Sequence, residues 1–148
     1  MTVDELCNHH RRIAIDANVF VYLFEGSGTL SIVAAALFDA VSGGRVTGVA
    51  TTITLTEVVV GPVRAGEETM AERYLDAIRS IEHLLIVPVT PEIAADAGFV
   101  RGRSGLTLAD AIHVATARTA GATVLVTNDR RIRPMPNLDV VQLADLVA

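Results

Sequence analysis

Short apolar runs alternate with helix-patterned segments along the 148 residues, and this order predicts an α/β fold with a central, mostly parallel sheet of four to five strands. The runs lack a strict alternation of apolar and polar residues, so helices should cover both faces of the sheet. Composition agrees: 51% of residues are hydrophobic and 20% charged, with a mean hydropathy of +0.45. The length suits a single domain spanning residues 1–148.

The first run, Arg12 to Ile15, ends at Asp16 and reads as a strand. A brief helix from Asn18 to Phe24 follows, stopped by Gly26 and Gly28. Ser31 to Val41 is rich in alanine, opens at a serine and ends before Gly43 and Gly44, which predicts a helix with a C-terminal glycine. Val46 to Ala50 is a second strand. Thr52, with Thr56 and Glu57 after it, opens another helix, which Gly61 and Pro62 should interrupt. Between Glu67 and Ser80, Met70, Tyr74, Leu75 and Ile78 recur near helical spacing among charged residues, the pattern of an amphipathic helix. Leu84 to Val87 is a third strand, and Thr90, Pro91 and Glu92 then supply the cap, first-turn proline and acid of a helix start. Leu106 to Ala120 reads as a further helix, ending at Gly121. Thr123 to Val126 is a fourth strand that delivers Thr127, Asn128 and Asp129, and Val140 with Val141 forms a short last strand before an Ala/Leu tail.

Several classes of protein are excluded by composition. The single cysteine, Cys7, permits no internal disulfide and suits a reducing cytoplasm. No apolar stretch approaches the ~18 residues of a membrane helix, and Asp4, Glu5, Arg11 and Arg12 stand where a signal peptide would be apolar. A cytoplasmic protein with no membrane partner is therefore expected. The net charge of −5 argues against a broadly basic surface that grips nucleic acid over a whole face.

Four acids concentrate that charge: Asp16, Glu57, Asp110 and Asp129, without which the molecule is nearly neutral. In open α/β sheets, ligand sites form beyond the carboxyl ends of the strands. Asp16 follows the first strand and Asp129 the fourth, while Glu57 and Asp110 lie in the first turns of helices that begin nearby. Carboxylates gathered at one edge need shared positive charge, and a divalent metal ion is the simplest source. Taken singly, each acid also reads as a cap, first-turn or turn residue. Asp after a first strand also occurs in phosphoryl-transfer domains of the receiver and haloacid-dehalogenase types, but these need an assisting lysine, and all 12 basic residues here are arginine.

The segments around these acids resemble the four signature segments of the PIN domain: Ile15, Asp16 and Asn18; Thr54 to Glu57; Leu106 to Ala117, with Asp110 and His113; and Val126 to Arg131, with Asp129. The resemblance spans nearly the whole chain, and the Asp110 segment is similar to that of VapC toxins, the ribonuclease halves of type II toxin-antitoxin modules. It implies a three-layer α/β/α fold and a metal-dependent endoribonuclease, with Asp16, Glu57, Asp110 and Asp129 catalytic and Mg²⁺ or Mn²⁺ held by Asp16, Asp110 and Asp129. Glu57 would ligate the metal or orient the attacking water, and products would carry a 5′-phosphate and a 3′-hydroxyl. It also implies a VapB-like antitoxin partner, a structured RNA substrate cut in an exposed loop, and a homodimer. Two alternatives stay open: an RNA- or protein-binding module without cleavage, and a nuclease acting on DNA or another nucleic acid outside such a pair.

Supporting residues are expected around the acids. Asn18 should hold the Asp16 carboxylate or cap the following helix, and Thr127 should bond a phosphate or a neighbouring carboxylate. Arg130 and its neighbours Arg131 and Arg133, with Arg101 and Arg103, can hold phosphates bidentately or line a solvated loop. His113 is expected to pack, and His9 and His10 to lie on the surface. Leu37, Phe38, Met70 and Tyr74 are expected mostly in the core, the remainder offering an apolar surface to a partner peptide.

Overall fold

The strands form where apolar runs stand in the sequence, and all of them pair in parallel. The computed structural model describes residues 1–148. Strands β1 (Arg12–Ile15), β2 (Thr47–Thr51), β3 (Leu84–Val87), β4 (Val124–Thr127) and β5 (Asp139–Gln142) form one five-stranded sheet in the order β3-β2-β1-β4-β5. The chain thus builds outward from central β1 to β3 on one side, then crosses to β4 and β5 on the other. The order reverses between β1 and β4, and the crevice beyond their carboxyl ends is where such sheets place ligands.

Side-chain alternation along the strands assigns the two cores. Ile13 and Ile15 of β1, with Val124 and Val126 of β4, face a cluster built with α1 (Val3–His9), α2 (Ala17–Glu25), α3 (Gly28–Ser42), and Val58 and Ile78 from α4 (Ile53–Arg64) and α5 (Glu68–Ser80). Ala14 and Leu125 face the opposite cluster, which α6 (Pro91–Ser104) and α7 (Leu108–Thr119) supply with Ile93, Ala97, Val100 and Val114. The result is the expected three-layer α/β/α architecture.

Two details differ from the sequence reading. Helix α1 precedes the first expected element; its sign is the capping box in which Thr2 accepts the Glu5 amide at 3.1 Å and Glu5 accepts the Thr2 amide at 2.8 Å. Helix α4 runs through Gly61 and Pro62 instead of stopping there. Pro62 lies two residues from the helix end and forfeits only one hydrogen bond, which packing against α5 outweighs. As expected, Leu37 and Phe38 are buried in the core, the Phe38 ring lying tilted against Phe20 with centroids 4.8 Å apart. Met70 is partly exposed, and Tyr74 stacks on Phe24 at 4.6 Å. No single helix is long and apolar enough to cross a membrane.

Candidate functional site

Asp16 leaves the carboxyl end of β1 and caps α2, its Oδ1 accepting the Ala17 amide at 2.7 Å. The helix cap is therefore Asp16 itself, and Asn18 is the second residue of the helix. Asp16 Oδ2 accepts the Thr127 hydroxyl at 2.6 Å and the Asn18 side-chain amide at 3.3 Å. Thr127 Oγ1 in turn accepts the Asp129 amide at 3.0 Å, and Asn18 Oδ1 accepts the Asn128 amide at 3.2 Å. These bonds tie the ends of β1 and β4 together at the point where strand order reverses. They also satisfy a carboxylate that is only 4% exposed, which burial would otherwise make costly.

Glu57 reaches the same place from α4 and Asp110 from the first turn of α7, where Thr107 caps the helix by accepting the Asp110 amide at 3.3 Å. Between Asp16 and Glu57 stands His113, one turn beyond Asp110. Its Nε2 lies 2.6 Å from Glu57 Oε1 and 3.3 Å from Asp16 Oδ1. Carboxylates only accept, so this nitrogen carries the hydrogen. Burial works to lower the His113 pKa, but the hydrogen bond to Glu57 and the charges of Asp16, Glu57 and Asp110 outweigh it and raise the value. His113 is thus a bridge between two acids as well as a packed side chain, a role that helical spacing alone does not reveal.

A second bridge, Arg131, serves the outer pair. Arg131 donates Nε to both oxygens of Asp129, at 3.0 and 3.1 Å, and Nη2 to Oδ2 at 2.6 Å, while its Nη2 lies 3.9 Å from Asp110 Oδ2. The Arg131 hydrogen bond holds the Asp129 carboxyl below the usual carboxylate range. Burial raises the Asp110 carboxyl, and the charges of Asp16 and Asp129 add to the rise against the lowering by Thr107 and Arg131. Arg130 points elsewhere, its guanidinium 3.1 Å from Asp145 at the protein surface, and it touches none of the four acids. The arginine against the cluster is the next one along the chain.

The four acids are therefore bridged in pairs, Asp16 with Glu57 by His113 and Asp110 with Asp129 by Arg131. As arranged, no three His, Cys, Asp or Glu side chains close on a common point for an ion. The donor set still fits a hard divalent cation, because Asp16, Asp110 and Asp129 offer only oxygen ligands. Asp110 and Asp129 are the reachable members, their side chains 14% and 18% exposed. Glu57, 34% exposed, has Oε1 committed to His113 and no protein donor on Oε2.

Solved structures share this architecture. VapBC2 from Rickettsia felis, bound to a DNA fragment from its promoter, superposes with a TM-score of 0.71 at 18% identity over 88% of this chain and 98% of that one. FitAcB from Neisseria gonorrhoeae gives 0.69 at 19% identity over 90% and 99%. The sarcin-ricin loop cleaving toxin VapC20 of Mycobacterium tuberculosis gives 0.63 at 15% identity over 76% and 86%. No curated protein matches the chain by sequence. The family profile described as PIN domain matches residues 13–138, a span that takes in most of β1, all four acids and the bridging His113 and Arg131, and the chain belongs to the PIN domain family.

Proposed function

We propose that this protein is a Mg²⁺-dependent endoribonuclease, with Mn²⁺ as an effective substitute, and the toxin of a type II toxin-antitoxin pair. The observation that carries the reading is the convergence of Asp16, Asp110 and Asp129, from three distant segments, at the strand-order reversal of a PIN domain. When bound, a divalent cation there supplies charge neutralisation on the scissile phosphate and an activated water. Asp16 is the fixed ligand, held by Ala17, Asn18 and Thr127. Asp110 and Asp129 face solvent more and complete the ligand set from the substrate side. Glu57, oriented through Oε1 by His113, offers Oε2 to accept a proton from the attacking water. Hydrolysis of this kind leaves a 5′-phosphate and a 3′-hydroxyl.

The likeness to VapBC2 and to a toxin that cleaves the sarcin-ricin loop supports RNA as substrate and a VapB-like antitoxin as partner. A strand already unstacked in a loop of structured RNA reaches this recessed cluster without melting a duplex. A homodimer in the cytoplasm completes the reading. Purified protein with Mg²⁺ is expected to cleave structured RNA, and Asp16→Asn, which keeps the helix cap, to lose at least about a hundredfold in rate. Undiminished cleavage by a folded Asp16→Asn variant would remove Asp16 from the site.

A further inference from the structure

All of the acceptor capacity of Asp129 is spent on one neighbour. A carboxylate offers about four lone-pair sites. Oδ1 accepts the Arg131 backbone amide at 2.9 Å and Nε at 3.0 Å, while Oδ2 accepts Nε at 3.1 Å and Nη2 at 2.6 Å. The same Nη2 leans toward Asp110 at 3.9 Å. No ion can be ligated by Asp129 while this arrangement stands. Yet the fold does not depend on it: the Arg131 side chain is 71% exposed, and exposed ion pairs contribute little to stability.

Arg131 also has somewhere to go. Beside Asp110 lies a cleft of about 230 Å³ lined by Ser104, Gly105, Leu106, Thr107, Asp110 and Arg131, in which Arg131 is the only cation. A guanidinium fork that matches a carboxylate matches a phosphate equally well.

Resting on the metal-site reading above, we propose that Arg131 is a displaceable clamp: it holds Asp129 and Asp110 in the metal-free protein, and a divalent cation entering that pair releases it onto an RNA phosphate in the neighbouring cleft. Metal and RNA then bind with positive coupling, and by linkage the coupling is reciprocal. Arg131 opposes the metal alone and favours the metal together with substrate.

The test is calorimetric titration of the full chain with Mn²⁺, comparing wild type, Arg131→Ala, Arg131→Lys and the remote control Arg45→Ala, which removes a positive charge from the Asp4 pair. Arg131→Ala is expected to bind Mn²⁺ about tenfold more tightly, Arg131→Lys to fall between, and Arg45→Ala to match wild type. Fluorescence anisotropy with single-stranded oligouridine in Ca²⁺ or EDTA supplies the second readout. Ca²⁺ should strengthen RNA binding in wild type and do so less in Arg131→Ala. Equal Mn²⁺ affinity in wild type and Arg131→Ala would overturn the clamp alone. Tighter Mn²⁺ binding with an undiminished Ca²⁺ effect on RNA would overturn the transfer to phosphate. Absence of Mn²⁺ binding in every protein would overturn the metal site and the clamp with it.

Discussion

At the scale of single residues, two hydrogen-bonding bridges set the electrostatics of the site. His113 Nε2 stands between Asp16 and Glu57, and its side chain is almost fully buried. His113→Ala removes the donor and leaves two carboxylates facing each other; with Glu57 partly solvated, the expected loss is about 2–3 kcal/mol in urea denaturation. Mn²⁺ should restore part of that stability, since a cation then supplies the missing charge. Thr127→Val keeps the shape but removes the hydroxyl that donates to Asp16 and accepts from Asp129, for an expected cost of about 1–2 kcal/mol in the same assay, together with slower RNA cleavage. Asp16 and Asp129 were legible in the sequence because each ends an apolar run. The bridges were not, since nothing in the spacing of α7 shows that His113 meets a residue 56 positions away, or that Arg131 and not Arg130 turns back on the cluster.

At the scale of elements, caps and periodic faces made most helices readable, the Thr2–Glu5 capping box of α1 being the exception. Thr90 accepting the Ile93 amide at 3.2 Å and Thr107 accepting the Asp110 amide set the starts of α6 and α7 where the sequence patterns put them, within two residues. The break expected at Gly61 and Pro62 failed because tertiary packing outweighs one lost hydrogen bond near a helix end. Thr107→Ala is expected to cost about 1 kcal/mol in thermal or urea unfolding, the usual value of a lost helix cap. Within β2, a Cβ at Gly48 would lie 3.0 Å from Leu84 Cδ1 and 3.0 Å from Val41 Cγ1. Gly48→Ala should therefore destabilise by about 1–3 kcal/mol through overpacking between sheet and α3, with the melting temperature as the readout.

At the scale of the whole molecule, alternation of strands and helices implied a parallel sheet, but strand order depends on which crossover turns which way, and no local pattern carries that. The order places β1 beside β4 and so brings the strand ends that carry Asp16 and Asp129, 113 positions apart in the sequence, to neighbouring places at one edge of the sheet. Overall charge follows the same logic. The chain is acidic in sum, yet its outward edge at the cluster carries Arg131, with Arg130 and Arg133 close by in the same loop. In the proposed reaction a polyanionic strand would meet arginine first, and the carboxylates only where a bound metal ion offsets their charge. Chelation is the direct test of the proposal that this cluster cleaves RNA through a divalent cation. RNA cleavage by the purified protein should stop in EDTA and return with Mg²⁺ or Mn²⁺, leaving products with 5′-phosphate ends. Cleavage that persists in EDTA and leaves 2′,3′-cyclic phosphates would contradict it.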